Sequence, residues 1–426
     1  MKKHYGVAIY YLILLGVLFS WTSTSAAPPM WARIGYLTAV VAPSFVKNIP
    51  LLFAYLVFFT ITSYGATYSY MPTSLFLYAI IAFLFYIFKI RFVGDSRLTI
   101  PRSILVLFTL SFLVNLITSG TIKNITWSLL IVMFLAPLLN KDKKNVFDAF
   151  SLSFQVVSLA LSIMFIVIGD QYTQAYNYES GLERSTWIDP NYFSCVVGMG
   201  AMISLCELFT SSTKLLKKIL DGVIIGFSLY TMVSVASRGG LLAILVGFVV
   251  LLVFSKTKRI YKILIIILSV GFVWWMYTSS VFELLAYRIA EDDKGGSGRL
   301  GIWESKLTTF INEGRLFDYL FGIGFDNVMM LGTPGKRGTH NDYVAFLTEY
   351  GLIGLSLFLA ILSAPFRHLK EKKHLSCVLS LTLYLATCIF TLEPLTLGIM
   401  CFYLFYTYIY YYSQYDDNLN RSAYEK

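Results

Sequence analysis

Charge is scarce in this sequence. Asp, Glu, Lys and Arg make up 14% of the 426 residues, against about 25% in an ordinary soluble domain. The apolar residues, 57% of the chain, come in long runs. A soluble globular enzyme is excluded, and a polytopic membrane protein is the class that fits. Histidine is also rare, with four residues in all. The five cysteines (Cys195, Cys206, Cys377, Cys388, Cys401) show no CxxC or Cys/His spacing, so they read as small core residues rather than metal ligands or a redox pair. No DxD-type acidic pair stands at an outer span end, and Asp292-Asp293, before a glycine run, reads as a solvated turn. There is no internal repeat and no low-complexity tract.

Apolar runs of span length, about 20 residues, are expected at 5–21, 34–47, 49–65, 72–90, 103–119, 122–139, 149–169, 191–210, 218–236, 239–255, 262–281, 342–363, 375–392 and 394–413. The second and third are short and carry Pro43 and Pro50. If that pair only dips into the bilayer, fourteen spans become twelve. The first run follows Met1-Lys2-Lys3-His4 and has the look of a signal peptide. Further spans follow at once, so it reads as an uncleaved helix.

The net charge of +10 does not point to nucleic acid, because the basic residues lie between spans. With the N-terminus inside, most of the 34 Lys and Arg fall in cytoplasmic loops, the positive-inside pattern. Both termini are then cytoplasmic. Two outside segments are long, 170–190 and 281–341, and long loops tend to be functional. Three regions follow: N-terminal helices over 1–170, a core over 171–365 that contains the long loop, and C-terminal helices with a tail over 366–426.

Three outward features hold residues suited to chemistry. In "SRGG", Ser237 to Gly240, almost no loop joins two spans, so Arg238 lies near the outer surface. A charge there needs water, headgroups or a bound anion, and the glycines allow close backbone approach to a ligand. Snorkelling to the headgroups is the alternative. In "GGSGRLGIWESKLTTFINEG", Gly295 to Gly314, Leu300, Trp303, Leu307 and Phe310/Ile311 follow helical spacing. That spacing predicts an amphipathic surface helix with Ser297 as N-cap. Arg299 falls in its first turn, where free N–H groups favour an anion; a solvated surface arginine is the other reading. In "GTHNDYVAFLTEYGLIGL", Gly338 to Leu355, His340 is suited to move a proton near neutral pH, or to cap or pack. Asn341 or Asp342 can cap the following helix. Asp342, Phe346 and Glu349 share one helical face, so Glu349 either projects toward the same cavity or packs. Two arginines suit a diphosphate, and a histidine suits deprotonation of a hydroxyl. The chemistry indicated is displacement of a lipid diphosphate by a sugar hydroxyl.

These pieces also carry a resemblance. "SRGGLLAIL", "SGRLGIWESKL", "LFGIGFDNV" and "HNDYVAFLTEYGLIGLSLFL", in that order, with "DPNYFS" at Asp189–Ser194, resemble the O-antigen ligase/polymerase superfamily over about residues 185–365. The resemblance implies an all-α, GT-C-like membrane glycosyltransferase with 12–14 transmembrane helices and an active site on the extracytoplasmic face of the bacterial inner membrane. It implies an undecaprenyl-diphosphate-linked glycan as donor, inversion at the anomeric carbon, and no metal or other cofactor. By motif, Arg238 and Arg299 become diphosphate binders and His340 the base or transition-state stabiliser. Arg184, Asn191, Arg337, Asp342 and Glu349 are weaker candidates. The long loop would be a lid whose surface helix helps to hold the donor.

Polymerase and ligase share this chemistry and differ in acceptor: the next lipid-linked repeat, or lipid A core (in some members, protein). The span count leans to a polymerase of O-antigen, capsule or exopolysaccharide repeats. A chain-length regulator and a flippase of the same pathway are the implied partners, with membrane lipids; nucleic acid is not. A flippase or transporter of lipid-linked sugars is the reading from another class. Transporters tend to show repeats and midplane charges. Here Glu207 and Asp221 lie near cytoplasmic ends, and the polar residues gather outside.

Overall fold

The computed structural model describes residues 102–139, 143–168, 176–177, 183–184, 190–210, 215–290, 298–332, 338–369, 374–397 and 399–414. The first four expected spans, the leader question among them, and Arg337 lie outside the described residues.

The described chain is helical throughout, apart from one two-residue antiparallel pair, β1 (Tyr176–Asn177) with β2 (Glu183–Arg184). The helices are α1 (Arg102–Ser119), α2 (Asn124–Leu139), α3 (Lys143–Ile168), α4 (Pro190–Thr210), α5 (Leu215–Ser234), α6 (Arg238–Phe254), α7 (Arg259–Tyr277) and α8 (Glu283–Ala290). They continue with α9 (Arg299–Glu313), α10 (Leu316–Phe321), α11 (Phe325–Met330), α12 (Asp342–Arg367), α13 (Leu375–Thr391) and α14 (Met400–Ser413). Among the described residues five stretches are long and apolar enough to cross a membrane: α1, residues 150–167 of α3, α4, α7 and α12. The protein is an all-α polytopic membrane protein. The described parts of the long loop 281–341 are mostly short helices, which pair backbone polar groups internally.

The chain divides into two compact units, one including Pro137–Ala286 and the other Leu98–Ala136 with Tyr287–Lys426. In the first, α4 is the buried centre, packed by α3, α5 and α6. Small residues let the helices approach, as is usual in membranes. A Cβ on Gly200 would overlap Ser158, whose Oγ instead accepts the Gly200 N–H at 3.1 Å. A polar cluster ties α3, α4 and α5 together. Lys217 Nζ meets Glu207 at 2.9 Å and Asp221 at 2.8 Å, and Gln155 donates to Ser204 at 3.0 Å and to Asp221 at 3.2 Å. By contrast, α7 is apolar and exposed almost all round, with only Met276 buried, as a lipid-facing helix would be.

In the second unit α12 is central, contacting α1, α10, α13 and α14. It is broken at Gly351 (φ 68°, ψ −168°), a backbone region essentially reserved for glycine. The break exposes helix carbonyls, and the "LFGIGFDNV" segment satisfies them. Ile323 N–H donates to Thr348 O at 3.0 Å and Gly324 N–H to Glu349 O at 3.1 Å. Irregular backbone at membrane depth is tolerated where protein covers it in this way. The far side of the same segment meets α1, where a Cβ on Gly324 would collide with Thr118 and Lys123 pairs with Asp326 at 2.6 Å.

The last expected span, 394–413, is shorter than hydropathy predicts. Its helix begins at Met400, and residues 394–397 form a turn. Pro394 has no N–H to give a helix, and the turn's backbone is occupied with residues far away in sequence.

Candidate functional site

Arg238 belongs to the first unit. α5 ends in a Schellman-type turn: Ser237 N–H reaches Met232 O at 3.2 Å, and Ala236 N–H reaches Val233 O at 2.8 Å. Ala236 takes the left-handed position (φ 49°), which glycine usually holds. Ser237 then serves as N-cap of α6, its side chain accepting from Gly240 N, so Arg238 is the first helical residue and is half-buried. Ser237 Oγ also lies 3.4 Å from Asn191 Oδ1 in the first turn of α4, which joins the "DPNYFS" and "SRGG" segments. The space beside Gly240 is taken by protein. A Cβ there would lie 2.7 Å from Ser194 Cβ and 3.0 Å from Met232 Cε, so this glycine serves helix packing. Arg184 lies on β2, in the two-residue pair.

Arg299, His340, Asp342 and Glu349 belong to the second unit. Gly298 (φ 77°) is the N-cap of α9 and brings no side-chain cap bond; Ser297, the expected cap, lies outside the described residues. α9 packs against the rest of the unit by one face and leaves another exposed. Leu300 and Ile311 are exposed, while Lys306 and Phe310 are buried. The inward stripe is Arg299, Trp303, Lys306 and Phe310, and its polar members bond to carbonyls. Arg299 Nη1 donates to Thr391 O at 2.6 Å, at the end of α13. Trp303 Nε1 donates to Thr339 O at 2.7 Å, its ring edge-on to Phe390. Lys306 Nζ donates to Val328 O, and also to Leu331 O at 3.4 Å. The spacing of the apolar residues does not mark Lys306 as an inward residue. The carbonyls at the end of α11 give this lysine a reason to be inside. Burial lowers the Lys306 pKa, against the raising pull of Glu393 and Glu349.

His340 stands just before α12 with a left-handed backbone, φ 51°, uncommon outside glycine. Its N–H donates to Glu393 Oε2 at 3.1 Å, and the same oxygen accepts from Thr339 N at 2.6 Å and Thr339 Oγ1 at 2.5 Å. The imidazole is half-buried. Asn341 is the N-cap of α12, its Oδ1 accepting from Tyr343 N at 2.8 Å and Val344 N at 3.2 Å. Asp342 is fully buried and faces the turn after α13. It accepts from Leu395 N at 3.0 Å, Thr396 N at 3.0 Å and Thr396 Oγ1 at 3.1 Å, and its own N–H donates to Leu392 O at 3.0 Å. Two carboxylates thus clasp two loops reciprocally, Glu393 holding 339–340 and Asp342 holding 395–396. Both oxygens of Asp342 are committed to that turn.

Glu349 lies two turns into α12, buried beneath the Gly322–Gly324 segment, and among the described residues its Oε2 has no hydrogen-bond partner. The neighbouring Tyr350 hydroxyl accepts from Asn115 Nδ2 at 3.1 Å. The expected face of Asp342, Phe346 and Glu349 is buried throughout. Its members do different work, since Phe346 stacks on Phe358 at 4.3 Å.

Arg299, His340 and Asp342 therefore converge on one segment, Thr391–Thr396, which no motif marked. The signal available in the sequence was Glu393, a lone carboxylate in the short link between two apolar runs. Beside it, Tyr343, Ala386, Thr387 and Phe390 line an open, apolar depression of about 370 Å³.

Residues 223–359 match the O-antigen ligase family model, Wzy_C. No curated protein matches the chain. The matched segment takes in Arg238, Arg299 and His340, and ends before Glu393. Over these residues, about a third of its length, this polytopic membrane protein is similar to the O-antigen ligase family.

Proposed function

We propose that the protein is a metal-independent, inverting glycosyltransferase of the inner membrane that polymerises surface polysaccharide repeats, transferring an undecaprenyl-diphosphate-linked glycan to a sugar hydroxyl of the next lipid-linked repeat. The observation that carries this reading is that Arg299 and His340 are fastened to the same turn, one through Thr391 and the other through Glu393. A guanidinium for a diphosphate and an imidazole for a hydroxyl are thereby supported by one short piece of backbone. The depression lined by Tyr343, Thr387 and Phe390 is the proposed seat of the first isoprene units below the diphosphate. Arg238 is assigned as a second diphosphate binder on the strength of its motif.

In this reaction a hydroxyl oxygen attacks the anomeric carbon from the face opposite the diphosphate. The new glycosidic C–O bond forms as the bond to the diphosphate oxygen breaks. The hydroxyl proton passes to the His340 imidazole. The electron pair leaves with undecaprenyl diphosphate, whose growing charge the guanidiniums stabilise more than they do the ground state.

The test replaces His340, Arg238 and Arg299 singly with Ala in the full-length chain, and reads the ladder of surface glycan lengths at matched protein amount. Loss of the ladder is expected for each, and Arg299→Lys is expected to be impaired too because the planar fork is lost. A normal ladder in all three sinks the site. The deletion strain separates acceptors. Single repeats on the final carrier mark a lost polymerase, whereas long polymer stranded on undecaprenyl diphosphate marks a lost ligase and overturns the acceptor assignment.

A further inference from the structure

We infer that Glu393, in the link between α13 and α14 and outside the segment matched to the family, is the positioning residue for His340; the inference rests on the function proposed above. Glu393 is buried, 4% exposed. One of its oxygens, Oε2, gathers three donors from two consecutive residues, Thr339 N, Thr339 Oγ1 and His340 N. The other, Oε1, is packed against Gly338, where a Cβ would overlap it. The carboxylate is thus wrapped by residues 338–340, the residues that set where the imidazole points.

Holding is needed here because the His340 backbone is left-handed. In that conformation the side chain leaves the chain in a direction an ordinary extended or helical residue would not give it. The conformation persists only when its surroundings over-determine it. Asn341 fixes the chain on the far side by capping α12, and Asp342 anchors to Leu392, Leu395 and Thr396. On the near side the polar fastenings are Glu393 and the Trp303 indole on Thr339 O. Removing the carboxylate leaves His340 in the chain and frees its backbone to relax. A displacement of about 1 Å of a reacting group costs on the order of 100-fold in rate.

Because all three donors meet one oxygen, an amide can replace the carboxylate without losing the arrangement. Glu393→Gln can place its carbonyl oxygen at the Oε2 position and lose only the charge. The experiment compares Glu393→Ala, Glu393→Asp, Glu393→Gln and His340→Ala in the full-length chain, expressed in the deletion strain, with polymer measured at matched membrane protein. Glu393→Ala is expected to lower polymer on the order of 100-fold. Glu393→Asp, one methylene short, is expected to lose polymer while accumulating normally. Glu393→Gln, which keeps the three bonds in a weaker, uncharged form, is expected to make clearly more polymer than Glu393→Ala or Glu393→Asp.

Gln falling as far as Ala overturns the inference, since the charge and not the geometry would then be what matters. Parent-like polymer from either Ala or Asp also overturns it. If Ala does not accumulate, the Asp and Gln pair decides by the same criteria. His340→Ala separates the two levels. Polymer surviving that change refutes the function assigned to His340, whereas polymer lost there but kept in Glu393→Asp refutes only the positioning.

Discussion

Gly322 and Glu349 meet backbone to backbone at the break in α12. A methyl group on Gly322 would overlap the carbonyl group of Glu349, and one on Gly351 would overlap the carbonyl group of Leu320. Both have positive φ, 82° and 68°. The two segments therefore meet backbone to backbone, and each glycine is required twice, for its dihedral angles and for its missing side chain. Gly322→Ala and Gly351→Ala are each expected to destabilise the protein by about 3 kcal/mol or more, the dihedral cost alone being about 1–3 kcal/mol. Thermal unfolding of the purified chain in detergent measures this. A melting temperature unchanged in both variants is incompatible with the contact.

Asp342 is expected to act on stability rather than chemistry. It accepts three hydrogen bonds from Leu395 and Thr396, each contributing about 0.5–1.5 kcal/mol. Asp342→Ala should lower the amount of folded protein strongly, with polymer falling in step. Thr396→Val removes one of the three and should cost about 1 kcal/mol. Asp342→Ala that accumulates and melts like the parent yet makes no polymer would place the carboxylate in the reaction itself.

Packing of α6 on α4 runs through Gly240, where an added Cβ would lie 2.7 Å from Ser194 Cβ. Gly240→Ala is expected to cost about 1–3 kcal/mol through overpacking. Ser194→Gly in the same chain should restore most of it, and Ser194→Ala should not, because the atom in the way is Cβ. Equal melting temperatures for the two double variants count against this contact.

Lys306 gives a pH dependence whose sign is fixed by its burial. Its folded pKa is lowered from 10.5, so folding binds this proton less tightly than the unfolded chain does. The cost of enclosing the charge is fully present below the folded value and disappears as pH rises to 10.5. Lys306→Met removes the titration but leaves the Val328 and Leu331 carbonyls without this donor. The parent's melting temperature relative to Lys306→Met should therefore rise as pH is brought up toward 10.5. A flat difference, or a falling one, contradicts the burial.

Much of this was legible in sequence, and the limits fall at identifiable residues. The apolar runs marked α1, α4, α6, α7, α12 and α13 to within a few residues, because hydropathy is a property of each segment by itself. Asn341 as an N-cap was readable for the same reason, since a cap acts within three residues. The inward place of Lys306 on α9 was not legible, because the carbonyls of Val328 and Leu331 that hold it lie more than twenty positions away. The start of α14 was misjudged because Asp342 and Glu393 reach across about fifty residues to hold the turn before it.

By itself the sequence determined a polytopic membrane protein and the order of its motifs, since burial in lipid demands long uncharged helices whatever they pack against. It also determined which side chains are chemically suited to a diphosphate and a hydroxyl. The tertiary structure decided what holds them. It gave Glu393 its place against the His340 backbone, fastened Asp342 to the turn at 395–396, and closed the break at Gly351 with the Gly322–Gly324 backbone. Each of these is a hydrogen bond or a close approach between distant segments, and a partner that far along the chain leaves no local pattern from which it can be read.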